Sequence, residues 1–306
     1  MRAIPIFDTN IYGHVQDGSI PQAEWRFLLR HRPGHGWPLS TVSALELLTG
    51  VHAVPSERFH RHRDQIELAC NLSKGRIHEE PRFLLCKEVL RVPFPTQLPR
   101  LPTKLLADYM TVARRSSSRE EILARNVLVK GLLTRGGGQA GRAGFNPSVI
   151  NELVSGPKRA WQAEVHRIAS EIYPNWQEHF QETGRRLPEE MRKKLESRSA
   201  WDAERTKFSE SVLRWLGATV EPESVTEIAT RLDAVLEFTI YVTREFLIRN
   251  YKLEKHESDV YDQFQLHHLS MDRFVIVTED KDFRTRVSHS SQMERILSFD
   301  QFLKSL

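Results

Sequence analysis

The chain has 306 residues, a net charge of +4, 40% hydrophobic and 27% charged residues, and two cysteines, Cys70 and Cys86. No apolar run approaches the ~20 residues that span a bilayer, an acid at position 8 breaks the start where a signal peptide would be apolar, and two cysteines make no disulfide framework. Membrane and disulfide-stapled classes are excluded, and a cytoplasmic globular protein of one large or two ordinary domains is expected.

Ile4 to Phe7 is apolar and reads as a first strand, with Pro5 near its beginning because proline cannot donate to a ladder. Asp8 ends the strand and Asn10 follows. Pro21 to Arg32 reads as a helix stopped by Pro33-Gly34. Trp37 to Val42 is expected to form a short second strand. Ser43 then has the spacing of an N-cap, with Glu46 three residues on as its capping-box partner. Ala44, Leu45, Leu47 and Leu48 make this helix apolar on most sides, so Glu46 would be the lone charge on a buried helix. Ser56 to Leu72 reads as a further helix with a basic first half, and Arg82 to Val92 as strand or helix. Pro93, Pro95, Pro99 and Pro102 break regular structure and suggest a boundary.

Residues 101–235 read as helical, with amphipathic segments at Leu105–Ala113 and Ile122–Leu133. Gly136 to Gly144 lacks the Lys-Ser/Thr of a phosphate loop and reads as a linker. Two or three more helices are expected between Pro147 and Gly217, exposing Arg185, Arg186, Arg192, Lys193 and Lys194. Charge is uneven: residues 101–200 carry 17 Lys and Arg against 11 Asp and Glu. A basic middle beside an acid-bearing remainder suits a polyanionic substrate, with those five cations as candidate nucleic-acid contacts. Trp161, Trp176, Trp201 and Trp215 read as core, with base stacking as the sharper alternative.

From Ser224 the chain is helical again and leads to Ser258–Asp262. Asp259 and Asp262 share a helix face at spacing i, i+3. Phe274 to Val277 is short, apolar and β-branched, as a buried strand should be, and Asp280 lies just past it. Arg295 to Phe299 reads as a last strand and Asp300 to Leu306 as a closing helix. Two strands from opposite ends of the chain would thus deliver carboxylates to a sheet's carboxyl edge, where open α/β sheets hold ligands. Asp8, Glu46, Asp259, Asp262, Asp280 and Asp282 form the candidate set. Converging carboxylates repel and take up protons unless a cation joins them. Hard oxygen donors without a Cys or His cluster favour Mg²⁺ or Mn²⁺, which activates water and steadies a phosphodiester under attack.

Ile6-Phe7-Asp8-Thr9-Asn10 resembles the opening motif of PIN domains, the metal-dependent nucleases that include VapC-type toxins. Ser43 to Leu48 resembles their second motif. Asp262 to Thr278 has the spacing of the third motif to the next strand. Val277 to Phe283 is similar to the fourth. The resemblance covers about residues 1–95 and 250–306. It implies a three-layer α/β/α sandwich with a central parallel sheet, made discontinuously from 1–100 and 236–306 and interrupted by an all-helical insertion at 101–235, which compact PIN toxins lack.

Asp8, Glu46, Asp262 and Asp280 would be the catalytic acids, with Asp8, Asp262 and Asp280 on the metal. Asn10, Thr278, Asp259 and Asp282 would be auxiliary, and the spacing to Thr278 favours Asp262 over Asp259 as the third acid. The implied activity is Mg²⁺- or Mn²⁺-dependent cleavage of RNA, with single-stranded DNA as an alternative substrate, leaving 5′-phosphate and 3′-hydroxyl ends. An antitoxin or other protein partner and a homodimer are implied as well. A non-catalytic nucleic-acid-binding or scaffold protein on the same fold is the alternative. A haloacid-dehalogenase-like phosphatase would need a second acid two residues after Asp8, where Asn10 stands.

Overall fold

The computed structural model describes residues 3–53, 58–96, 103–124, 147–183, 187–249, 251–256 and 258–306. In chain order these form β1 (Ile4–Phe7), α1 (Thr9–Asp17), α2 (Gln22–His31), α3 (Thr41–Ala53), α4 (Phe59–Ser73) and α5 (Pro81–Leu84), which runs into a π-helical turn at Leu85–Leu90. Then come α6 (Thr103–Arg115), α7 (Arg119–Ala124), α8 (Pro147–Ile172), α9 (Trp176–Thr183), α10 (Glu189–Glu196), α11 (Asp202–Trp215), α12 (Pro222–Arg231), α13 (Asp233–Arg249) and α14 (Asp259–Leu266). The chain closes with β2 (Phe274–Val277), α15 (Lys281–Arg286), β3 (Ile296–Leu297) and α16 (Phe299–Lys304).

The sheet is parallel and ordered β1-β2-β3, so β2 is central. Its register pairs Ile6 with Ile276 and Phe7 with Val277, and Ile276 in turn with Ile296. Successive strand residues point to opposite faces. Ile6, Phe274, Ile276 and Ile296 therefore enter one core, with Trp161 and Val165 of α8 and Leu236 and Val242 of α13. Phe7 and Val277 enter the other, with Tyr12, Leu28, Leu48, Ile66, Tyr109 and Phe299. Helices from the 101–235 stretch contribute to both cores: Tyr109 of α6 to the second, and Trp161 and Phe208 to the first.

The expected three-layer α/β/α sandwich is not formed. Helix makes up 71% of the structure, and the strands are four, four and two residues long. One local cause is visible at Trp37–Val42, where a strand was expected. Leu39 makes only an isolated bridge to Ile77. The Ser40 hydroxyl then accepts from the Val42 and Ser43 amides at 3.0 and 3.1 Å, which caps α3 and turns the chain into helix. The cap is therefore Ser40 rather than Ser43. Within Arg82–Val92 the chain is helical as far as Leu90. The Gly136–Gly144 linker and most of Ile122–Leu133 lie outside the described residues. Among the described residues no helix is long and apolar enough to cross a membrane, and both cysteines are free and buried.

Candidate active site

Parallel register carries the end of β1 to the end of β2. The Asp8 amide donates to the Val277 carbonyl at 3.0 Å. The residues that follow the two strands are then neighbours, and Thr278 donates its hydroxyl proton to Asp8 Oδ2 at 2.7 Å. The same hydroxyl oxygen accepts from Asn10 Nδ2 at 2.9 Å and from the Asp280 amide at 3.0 Å. One fully buried threonine thus joins Asp8, Asn10 and the backbone of Asp280. Both acids are also helix caps. Asp8 Oδ1 accepts from the Thr9 amide at 2.7 Å at the start of α1. Asp280 Oδ1 accepts from the Asp282 and Phe283 amides at 2.8 and 3.0 Å at the start of α15. Asp282 itself is exposed on the first turn of α15.

A second set of bonds brings α3 and α14 to the strand tips. The Ser43 hydroxyl donates to the Phe7 carbonyl at 3.0 Å and accepts from Gln265 Nε2 at 2.9 Å. Two turns along α3, Thr49 Oγ1 accepts from the Tyr261 hydroxyl at 3.1 Å. Ser43 with Gln265 and Thr49 with Tyr261 make the two helices antiparallel. Glu46 is three residues from both α3 anchors, and Asp262 lies between the two α14 anchors. The clamps therefore set these two acids opposite each other.

The electrostatics carry the signature of carboxylates held together. Glu46 is pushed up to about 8, first by burial and then by the charge of Asp8, with a hydrogen bond from Thr9 opposing. Asp8 is raised to about 6 by burial and by Asp280, while the bonds from Thr278 and Thr9 and the charge of His14 hold it down. Asp262 is raised well above the usual aspartate range by burial, then by Asp8, Glu46 and Asp259, with Arg286 opposing. Three acids from β1, α3 and α14 thus feel one another, and Asp280 joins through Asp8.

Asp259 has a different fate. It is 1% exposed, accepts from Arg286 Nη1 at 2.6 Å and from the Tyr251 hydroxyl, and is fully engaged as a counter-ion. Asp262 meets the same guanidinium only at 3.8 Å. The choice of Asp262 over Asp259 as the acid facing the cluster therefore has a physical reason.

Among the described residues no three His, Cys, Asp or Glu side chains stand close enough, as placed, to hold a metal ion. The donor chemistry nonetheless suits a hard divalent cation, since the set is all oxygen and is short of positive charge. Asp8, Asp262 and Asp280, with Glu46 beside them, would be its ligands.

The expected nucleic-acid contacts are not near these acids by any observed bond. Arg185 and Arg186 lie outside the described residues. Arg192, Lys193 and Lys194 are exposed on α10, where Glu189, Glu190 and Glu196 match them charge for charge. Arg192 sits between Glu189 at 3.7 Å and Glu196 at 3.9 Å. Of the four tryptophans, Trp161, Trp176 and Trp201 are core, and Trp215 is 42% exposed beneath the Arg82 guanidinium. A groove of about 780 Å³, lined by Arg231, Asp272 and Arg295 among others, lies elsewhere. Its arginines are occupied, Arg231 by Asp272 at 2.8 Å and Arg295 by the Met271 and Leu269 carbonyls.

Thr9, Ser43, Gln265 and Arg286 are parts of the site that sequence reasoning missed. Thr9 and Ser43 lie inside the quoted motifs and so were findable. Gln265 and Arg286 carry no local signal, because their role depends on a neighbour far away in the chain. No protein-family model, no curated protein and no solved structure matches this chain.

A pH effect follows. Asp8 and Glu46 sit near 6 and 8 when folded, against ordinary values of 3.8 and 4.5. Between those limits the folded state binds more protons than the unfolded one, so metal-free stability falls as pH rises through about 4 to about 8. Calorimetric melting should show this decline, and Glu46→Gln should flatten its upper half. An unchanged slope in that variant would contradict the assignment.

Proposed function

We propose that this chain is a Mg²⁺- or Mn²⁺-dependent endoribonuclease using PIN-type chemistry on a mostly helical scaffold. The supporting observation is the mutual pKa elevation of Asp8, Glu46 and Asp262, gathered from three distant parts of the chain at the carboxyl edge of a parallel sheet. Such a cluster weakens the fold unless it serves a cation.

Asp8, Asp262 and Asp280 are the metal-binding acids in this reading. A bound divalent ion supplies an activated water and charge neutralisation at phosphorus. The chain's own groups then have these roles. Thr278 and Asn10 fix the orientation of Asp8. Asp280 keeps Oδ2 free of hydrogen bonds among the described residues, because the helix cap uses Oδ1. Arg286 satisfies Asp259 and leaves Asp262 available. Glu46, steadied by Thr9, is assigned to take the proton of the attacking water. Cleavage leaves 5′-phosphate and 3′-hydroxyl ends.

The test is cleavage of single-stranded RNA with Mg²⁺ by the native chain, Asp8→Ala and Asp280→Asn. Native activity should be abolished by chelation and fall at least ~100-fold in each variant. Equal activity in all three would remove the assigned site. Absence of both cleavage and acid-dependent Mn²⁺ binding would instead favour the scaffold reading.

A further inference from the structure

We propose that the first turns of α4, through Arg58 and Arg61 with His62 at their border, form the rim that takes the RNA phosphates flanking the acid site. This rests on the nuclease reading above and assigns the substrate contact to a surface other than the α10 cations.

The stripe is exposed, and the acid that feels Arg61 is Asp17 at the far end of α1. Arg58, Arg61 and Gln65 follow one another at helical spacing on one side of α4, while Phe59, Ile66, Ala69 and Cys70 bury the other. Arg58 and Arg61 are both exposed. Among the described residues neither forms an ion pair. Arg63, one step round the helix, is already matched by Asp64 at 2.8 Å.

Two contacts seat the stripe on the helices that carry the acids. Gln16 of α1 donates its side-chain amide to the Arg61 carbonyl at 3.1 Å, and α1 is the helix that Asp8 caps, about 12 Å along the axis from Gln16. His62 lies against Gly50 of α3, where a Cβ would stand 2.9 Å from its Nδ1. Gly50 is one turn beyond Glu46 on the same helix face, ~5–6 Å along the axis.

The physical need is clear. Four carboxylates repel an incoming phosphodiester, and one divalent ion neutralises only part of that charge. The neighbouring phosphates therefore require cations of the protein close to the cleft, and guanidinium groups suit phosphate geometry best. α10 does not meet this need, because its three cations are balanced by its own glutamates.

The experiment is fluorescence anisotropy with a 5′-labelled single-stranded oligo(U) in Mg²⁺, in an Asp280→Asn background so that the RNA survives. Arg58→Glu/Arg61→Glu should weaken binding at least tenfold. It should also reduce the slope of log affinity against log salt by about 1.4, that is ~0.7 for each of two lost phosphate contacts. Arg58→Lys/Arg61→Lys should keep the slope, and Lys193→Glu/Lys194→Glu should bind within twofold of the parent. Melting curves check that each variant folds. A parent that binds no RNA, normal binding by the Arg58→Glu/Arg61→Glu protein, or an equal loss in the α10 variant would overturn the proposal. Cleavage by the native chain is scored separately. Stripe-dependent binding without cleavage sinks the nuclease reading alone, and cleavage with stripe-independent binding sinks the rim alone.

Discussion

Asp262→Asn is expected to raise the melting temperature of the metal-free protein at pH 8 and, in the same molecule, to remove Mg²⁺-dependent cleavage. Asp262 is pushed well above the usual aspartate range by burial and by Asp8, Glu46 and Asp259, and Arg286 is the last and smallest influence on it. Its charge is therefore a net burden on the fold, and asparagine removes that charge at constant shape. Relief worth ~1 kcal/mol shifts the melting temperature of a domain this size by about 2–4 °C. A stabilising change that abolishes activity marks a carboxylate kept for function. An unchanged or lower melting temperature would mean that Asp262 is an ordinary partner of Arg286.

Asp259→Ala, one turn away, should act in the opposite direction and cost about 3–5 kcal/mol in urea unfolding. Asp259 is 1% exposed and is the partner of Arg286 at 2.6 Å and of the Tyr251 hydroxyl. Arg286 is itself only 14% exposed and lies 5.4 Å from the Phe238 ring centre, so without Asp259 its charge has no adequate partner. Asp259→Ala/Arg286→Met should recover a large part of the loss, since both charges then leave together. A loss under ~1 kcal/mol, or no recovery in the double variant, would contradict this division between a structural and a functional aspartate.

The parts of the site carried by strands were legible in the chain. Ile4–Phe7 and Phe274–Val277 are short β-branched or apolar runs followed by acids, and strands of that kind are written locally. Asp262 could be chosen over Asp259 by spacing, although the reason, the capture of Asp259 by Arg286, is a long-range contact. The sandwich was misread because Trp37–Val42 satisfies an apolar pattern while Ser40 supplies a helix cap that local hydrophobicity does not weigh. The cations of α10 share their helix with Glu189, Glu190 and Glu196, which a surplus of Lys and Arg over the whole 101–200 stretch does not reveal. Arg58 and Arg61 stood in plain view, and the long-range contacts that tie them to the acid-bearing helices, Gln16 on the Arg61 carbonyl and His62 on Gly50, did not.

The most direct measurement is calorimetric titration of Mn²⁺ into the metal-free protein at pH 7.5, repeated in two buffers of different ionisation enthalpy. Glu46 near 8 holds a proton there, so binding should be saturable and should release roughly one proton per ion, and both effects should vanish in Asp8→Asn/Asp262→Asn. Heats that show no saturable binding, or binding that survives in the double variant unchanged, would contradict a cation site built from these carboxylates.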